Sequence, residues 1–154
     1  MQEQKELFVL VVAADRVIAA TLATVLRSGG YMVGTTASGA TASRIAGRMV
    51  VDAAVIDLAT DDPMSLQSAV TLQNRYPDCH TVLVCSPSQK DEAVMRAEEA
   101  GLDCEFVLRP LSRAELLAQL ARAHHHEKRS EYLHGIPFGA EVSRRAVRAA
   151  KPRA

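Results

Sequence analysis

An alternation of short apolar runs with helix-like stretches constrains the fold of this chain more than any other feature. The first run, from Leu7 to Ala13, reads LFVLVVA. It is rich in Val, contains no polar residue and is too short for a helix of normal length, which is typical of a strand buried on both faces. Asp15 follows at a helix N-cap position, and apolar residues then recur at helical spacing until Gly29 and Gly30. The pattern therefore predicts a strand and then a helix.

The same strand–helix unit recurs four more times at intervals of about 25 residues. The later strands are predicted at 31–36, 53–57, 80–85 and 104–108, and their helices at 39–48, 62–76, 88–101 and 112–124. Two of the helix starts carry a capping-box pattern, Ser88-x-x-Asp91 and Ser112-x-x-Glu115. Five such units without hairpin signals predict an α/β fold of the flavodoxin-like (βα)5 type, a doubly wound parallel sheet with strand order 2-1-3-4-5. In such a sheet, chemistry is expected just beyond the carboxyl ends of strands one and three.

The composition indicates one globular domain. The 154 residues are 48% hydrophobic and 23% charged, which is close to the averages for soluble folded domains and suits a single core. No run of about 18 apolar residues exists, and Met1 to Glu6 do not form a basic stretch ahead of an apolar one. Neither a membrane span nor a secretory signal is therefore predicted, and a cytoplasmic location is expected. The three cysteines, Cys79, Cys85 and Cys104, have no CxxC spacing and are interpreted as buried free thiols.

The formal net charge of zero conceals a division of charge along the chain. Residues 1–123 carry 11 Lys and Arg against 15 Asp and Glu, whereas residues 124–154 carry 7 against 3. The first part therefore has a net charge of −4 and the second a net charge of +4, and such a split suggests a basic tail with its own partner. We divide the chain into a domain at 1–123 and a basic, Arg-rich tail at 124–154.

The residues at the predicted strand ends resemble a known family. The first strand ends in LVVAA, the third in VIDL, the fourth in VCSP and the fifth in FVLRP. Over residues 7–123 this pattern resembles the receiver domains of response regulators, the CheY-like family, whose strands end in LVVDD, a phosphorylated Asp, Thr or Ser, and aromatic-x-x-Lys-Pro. The resemblance implies that Asp57 is the phosphoacceptor position, that the hydroxyl of Ser86 binds the phosphoryl group and that Phe106 is the switch aromatic. It also implies a protein of two-component signalling that is not an enzyme.

Two positions depart from the family pattern. Ala13 and Ala14 stand where the family has the acidic pair that holds Mg²⁺, and the loss of two carboxylates should weaken magnesium binding severely. Asp15 is a poor substitute because an N-cap role accounts for it better, so no metal or other cofactor is expected to be required. Arg109 replaces the lysine of the family; its planar guanidinium keeps the positive charge and is able to pair with Asp57 without metal or phosphate.

These departures leave two interpretations of Asp57. It is either an inherited strand-end aspartate with a structural partner, or a working phosphoacceptor in a phosphorelay despite the missing acidic pair. Phe106 also has two interpretations, a core side chain or a switch residue, and it lacks the hydroxyl of a Tyr. The resemblance places the partner surface on helix four, strand five and helix five, with Arg96, Phe106 and Arg113, and makes a histidine kinase one candidate partner.

The basic tail has an arginine pattern of its own. Arg144, Arg148 and Lys151 fall at i, i+4 and i+7, Arg145 is adjacent to the first, and Arg153 follows. Guanidinium groups bind phosphate and stack on planar rings, so this cluster suits a phosphodiester ligand with purines. A CheY-like domain with an Arg-rich stretch resembles the Cle group of cyclic di-GMP-responsive CheY-like proteins, which implies a partner at the flagellar motor. A solvated tail without a ligand is the alternative.

The sequence thus predicts a stand-alone, atypical receiver-type adaptor that acts by protein–protein contact and is controlled by an anionic ligand on its tail. One alternative is a phosphorylatable single-domain response regulator with Asp57 as the phosphoacceptor. The other is a nucleic-acid contact through the tail, which is disfavoured because five basic residues make a small footprint and no DNA-binding motif accompanies them.

Overall fold

The computed structural model describes residues 7–58 and 63–122, in which strands and helices alternate. The strands are β1 (Phe8–Val12), β2 (Met32–Thr36), β3 (Ala53–Asp57), β4 (His80–Cys85) and β5 (Cys104–Leu108). The helices are α1 (Arg16–Ser28), α2 (Gly39–Ala46), α3 (Pro63–Arg75), α4 (Lys90–Glu99) and α5 (residues 113–122). The bounds of β3, β4 and β5 are those predicted from the sequence.

The five strands form one parallel sheet with the order β2-β1-β3-β4-β5. This order confirms the flavodoxin-like prediction. β1 pairs with β2 on one side and with β3 on the other. β2 is therefore an edge strand, and β3, β4 and β5 follow in order on the other side of β1. The carboxyl ends of β1 and β3 therefore flank the point at which the strand order reverses, where doubly wound sheets place their ligand sites.

Both faces of the sheet are buried, which explains why the strands are continuous apolar runs. Successive residues of β1 point to opposite faces: Leu10 belongs to a core layer with α2, α3 and α4, whereas Val9 and Val11 belong to a layer with α1 and α5. The second layer is closed by fully buried leucines of the two helices, namely Leu22, Leu26, Leu116 and Leu120. The sheet thus holds the strand ends between two packed layers of helix.

Most helix ends follow the local signals of the sequence, although α2 ends at Ala46 and not at residue 48 as predicted. Asp15 caps α1, since its carboxylate accepts hydrogen bonds from the backbone N–H groups of Val17 at 2.8 Å and Ile18 at 3.1 Å. Gly30 after α1 and Gly101 after α4 have φ values of +94° and +71°, a region in which residues with a Cβ are disfavoured.

The start of α4 also differs from the prediction. A short 3-10 turn, Pro87–Gln89, precedes this helix, and the capping box is formed by Ser86 with Gln89. The predicted box of Ser88 with Asp91 is therefore wrong. Pro87 suits the first position of the turn because it has no N–H to satisfy, which moves the cap two residues earlier. At α5 the prediction is confirmed for the serine, because Oγ of Ser112 accepts a hydrogen bond from the Glu115 N–H at 3.2 Å.

All three cysteines are free thiols, as expected. Cys79 and Cys85 are buried, but Cys104 is only partly buried because it lies on β5, an edge strand of the sheet. Across residues 7–58 and 63–122, no helix combines the length and the apolar character needed to cross a membrane.

Substitution of Leu83 by Ala is expected to lower the free energy of unfolding by about 2–5 kcal/mol. Leu83 is fully buried in β4, next to the centre of the sheet, and its truncation removes packing and leaves a cavity. Val17→Ala is the control, because Val17 is 74% exposed on α1 and its change should stay within about 0.5 kcal/mol. Urea denaturation measures both, and equal midpoints for the two variants would contradict this core.

Candidate functional site

The carboxyl ends of β1, β3, β4 and β5 bring together four of the positions singled out in the sequence. Asp57 is the last residue of β3 and pairs with β4. Ala13 and Ser86 directly follow β1 and β4, the two neighbours of that strand. Arg109 follows β5, and its backbone N–H donates to the carbonyl of Cys85 at 2.9 Å. The parallel register therefore assembles the site from residues that are far apart in the chain.

Asp57 and Arg109 form an ion pair in which guanidinium Nη2 contacts carboxylate Oδ1. The side chain of Asp57 is 5% exposed and that of Arg109 is 29% exposed, so the carboxylate is buried and the guanidinium reaches it from the rim of the sheet. An ionised carboxylate without a counter-charge would lose several kcal/mol of hydration at this depth. The structure thus contains the direct pairing that the sequence left open.

Ser86 is bonded to its own loop. Its backbone N–H and its hydroxyl both donate to Oε1 of Gln89, at 3.0 and 2.9 Å, and its Oγ lies 3.1 Å from Oγ of Ser88. The hydroxyl is therefore already engaged at the start of α4. Gln89 is a site residue that the sequence reasoning missed, although the pattern Ser86-x-x-Gln89 is itself a capping-box signature.

A cavity of about 260 Å³ lies at the carboxyl end of β1, beside the positions of the missing acidic pair. Its walls come from β1, the connection from β2 to α2, and the first turns of α3. The lining residues are Val12, Ala13, Ala14, Ala37, Ser38, Gly39, Ala40, Ser65 and Ser68. None of these carries a charge, so methyl groups and hydroxyls occupy the region in which the family has carboxylates.

These residues do not fit a magnesium site of the family kind. Mg²⁺ is usually held through one or two carboxylates and keeps several waters. Asp15 directs its carboxylate at the first turn of α1, and Asp57 is paired with Arg109. Within the described ranges there is also no group of three or more His, Cys, Asp or Glu side chains placed to hold a metal ion.

Phe106 is a partly buried side chain packed against the core layer of α2, α3 and α4. Its position on β5 next to Leu83 makes it a contact between the strand and that layer. Arg113 is exposed on α5, and its Nε and Nη2 donate to Oγ of Ser28 at 3.2 and 3.1 Å, at the end of α1. Its guanidinium is therefore directed toward α1, whereas Arg96 pairs with Glu92 on α4.

The thiol of Cys85 lies one residue before Ser86 and takes no part in this site. Burial raises the pKa of the Cys85 thiol, and the positive charge of Lys90 offsets only part of that rise. A thiol with a raised pKa stays protonated at neutral pH and is a poor nucleophile.

The predicted ligand residues of the tail, Arg144, Arg145, Arg148, Lys151 and Arg153, lie outside the described residues. The predicted domain boundary after residue 123 lies there too.

Comparison with known families agrees with the fold. The family model of the response regulator receiver domain matches residues 9–121. The chain therefore belongs to the response regulator receiver family. No curated protein matches the chain.

Many solved structures share the fold. A CheY-like receiver domain protein from Methanospirillum hungatei is 18% identical with a TM-score of 0.70, over 81% of this chain and 99% of the other. The chemotaxis protein CheY4 of Vibrio cholerae is 21% identical with a TM-score of 0.65, over 77% and 99% of the two chains. A putative pilus assembly-related protein from Burkholderia pseudomallei is 25% identical with a TM-score of 0.67, over 82% and 95%.

Substitution of Arg109 by Met is expected to destabilise the protein by roughly 3–5 kcal/mol, because it leaves the buried carboxylate of Asp57 without a counter-charge. Asp57→Asn should cost less, since the Arg109 guanidinium is already partly exposed and is able to turn into solvent. The double variant D57N/R109M should be more stable than R109M alone. Urea denaturation of the three variants measures the coupling, and strictly additive losses would show that the pair contributes nothing.

Proposed function

We propose that this chain is a receiver-type signalling adaptor in which Arg109 neutralises Asp57 permanently, so that Mg²⁺-dependent phosphorylation does not control it. The observation that carries the proposal is the buried ion pair of Asp57 with Arg109 beside Ala13. Output is by protein–protein contact, and the input is an anionic ligand bound by the Arg-rich tail.

The charges at the strand ends support the first part. In the family pattern, an acidic pair and the phosphoacceptor give three negative charges, which Mg²⁺ and a lysine balance. Here Ala13 and Ala14 remove two of the negative charges, and the remaining Asp57 is balanced by Arg109 alone. The site is therefore neutral without a metal. Phosphoryl transfer depends on positioning and charge neutralisation, chiefly by the metal, so the catalytic contribution of the site is largely lost with the acidic pair.

The hydrogen bonds of Ser86 support the same conclusion. Its hydroxyl is held by Gln89 at the start of α4, where it caps the turn. An incoming phosphoryl group would have to displace that contact as well as the guanidinium of Arg109. Arg109 and Ser86 thus both have partners within the protein in the absence of phosphate. The hydrogen bond of Ser86 to Gln89 also stabilises the loop that leads into α4.

The partner surface that remains is the outer side of α4 with β5 and α5. Met95 is 54% exposed there, and Arg96 forms an exposed ion pair with Glu92 at 2.9 Å. An exposed methionine adapts its shape to different apolar partners, and Phe106 on β5 is partly buried. A surface of this kind suits a protein at the flagellar motor or a histidine kinase, as the family resemblance implies.

The second part of the proposal, control by cyclic di-GMP, is supported by the spacing of Arg144, Arg148 and Lys151 and by the net charge of +4 in residues 124–154. Cyclic di-GMP has two phosphodiesters and two guanine rings. Guanidinium groups bind phosphate and stack on planar rings, so clustered arginines suit both parts of this ligand.

A second candidate function is that of a phosphorylatable response regulator. It is favoured by the position of Asp57 at the end of β3 and by Ser86 on the neighbouring strand, since both stand where the family has its phosphoacceptor and its hydroxyl. A nucleic-acid contact is a weaker third candidate because it rests on the tail arginines alone.

Beryllofluoride, a mimic of the phosphoryl group, tests the first part of the proposal. With Mg²⁺ and beryllofluoride, the amide resonances of Asp57, Ser86 and α4 in the parent protein are expected to stay in place, because neither the metal nor the anion has a site. Shifts at these amides that disappear in Asp57→Asn would overturn the proposal and establish the phosphoacceptor.

The matched control for this experiment restores the acidic pair. A13D/A14D should gain Mg²⁺-dependent shifts, because two carboxylates then border a cavity of about 260 Å³. A13N/A14N, of the same size but uncharged, should not.

Calorimetry tests the ligand. The parent protein is expected to bind cyclic di-GMP at micromolar concentration, and R144A/R148A should weaken binding by roughly a hundredfold or more, because it removes two charge-assisted contacts worth about 1.5–3 kcal/mol each. If titration of the parent protein with micromolar cyclic di-GMP releases or absorbs no heat of binding, this ligand is excluded. That result would not affect the proposal that residues 1–123 act as an adaptor.

A further inference from the structure

The outer face of α4 carries acidic side chains at both of its ends. Residues 90–99, KDEAVMRAEE, carry four acidic and two basic side chains. Asp91, Met95, Glu98 and Glu99 fall at i, i+4, i+7 and i+8, which places them on one side of the helix. They are all exposed, while Ala93 and Ala97 are buried against the sheet. We call the set Asp91, Glu92, Met95, Glu98 and Glu99 the acidic face of α4.

Most of the negative charge on this face has no counter-charge in the described part of the chain. Glu92 pairs with Arg96 at 2.9 Å. For Asp91, Glu98 and Glu99, residues 7–58 and 63–122 supply no basic side chain within ion-pair distance. The face therefore offers three unpaired carboxylates around an exposed methionine.

The described chain ends at the end of the sheet at which α4 also ends. At the end of α5, Nη1 of Arg122 lies 3.7 Å from Oε2 of Glu105, so residue 122 is beside the first residues of β5. The end of α4 is at the same edge of the sheet, because Gly101 and Leu102 turn directly into β5 and the Leu102 N–H donates to the carbonyl of Ala97 at 2.9 Å. Arg122, the last described residue, therefore lies at the same end of β5 as Glu98 and Glu99, although α4 and α5 pack on opposite faces of the sheet.

Length does not limit the reach of this segment. An extended chain spans at most ~3.3–3.6 Å per residue, so the roughly 20 residues between 122 and Arg144 are able to span several times the ~15 Å length of a ten-residue helix. Because the segment is tethered, its effective concentration at the face is in the millimolar range. Individually weak, exposed ion pairs are then sufficient to keep it bound for much of the time.

From this charge complementarity and this exit point we propose that the Arg-rich segment 144–153 docks on the acidic face of α4 within the same chain and covers the partner surface. Release of the docked segment by a ligand rests on the proposed function, in which the tail binds an anionic ligand. A ligand with two phosphates competes for the same guanidinium groups, so binding of the ligand withdraws the segment and exposes α4 and β5 to the partner.

Amide spectra of the full chain, with no ligand present, test the docking. R144E/R148E is expected to shift the amides of α4 and β5 relative to the parent, while the amides of β1 and α1 stay in place and report an intact fold. Glu98→Lys should move the same α4 amides in the parent background. Its matched control, Asp78→Lys, reverses one exposed charge in the connection before β4 and should leave α4 unchanged. Combining E98K/E99K with R144E/R148E should restore the parent shifts.

Coincident α4 spectra for the parent and R144E/R148E would overturn the docking. Titration with cyclic di-GMP separates this proposal from the proposed function. If the segment is docked four fifths of the time, E98K/E99K should bind the ligand roughly fivefold more tightly, because the competing face is gone. Ligand binding that is unaffected by E98K/E99K would also overturn the docking. If cyclic di-GMP does not bind but R144E/R148E still shifts the amides of α4, the ligand hypothesis is wrong and the docking is supported.

Discussion

The ion pair of Asp57 with Arg109 is the interaction on which the state of this receiver domain depends. A carboxylate that is 5% exposed at the end of the central strand must be neutralised by a metal, a proton or a basic side chain. The family resemblance assigns that task to Mg²⁺ and a lysine. In this chain, Ala13 and Ala14 replace two carboxylates and so lower the negative charge of the site. Arg109 supplies the positive charge that balances the remaining carboxylate, Asp57.

The consequences of this neutralisation extend into the loops around the site. The hydroxyl of Ser86 donates to Gln89 and stabilises the turn that starts α4. Asp15, the nearest remaining carboxylate after β1, caps α1. Each polar group that the family uses in phosphoryl transfer thus has a structural partner here. A receiver fold is retained because its stability comes from the two core layers on either side of the sheet, which do not depend on the chemistry at the strand ends.

Control is then expected to lie away from the phosphoacceptor position. The described body carries an acidic helix face with an exposed methionine at its centre, and the segment after residue 123 carries the opposite charge. In the proposed docking, these complementary charges bring the two into contact without any change in the core. Such a contact is weak enough for a small anion to displace, which a signalling protein requires. The identities to solved structures of the same fold, 16% to 25%, show that this fold is compatible with very different sequences.

The sequence by itself determined the order and type of the elements, because strands buried on both faces are continuous apolar runs and the helices have local start and stop signals. Asp15, Gly30 and Gly101 are examples in which a single residue type fixes a boundary by its own hydrogen bonding or backbone freedom. It also identified Asp57 and Arg109 as neighbours, since parallel strands end at one edge. Only the tertiary structure decided that Ser86 bonds to Gln89 and not to a neighbour of Asp57, and that Arg113 turns toward Ser28. The directions of these side chains are set by competing partners from distant segments, which no local pattern encodes.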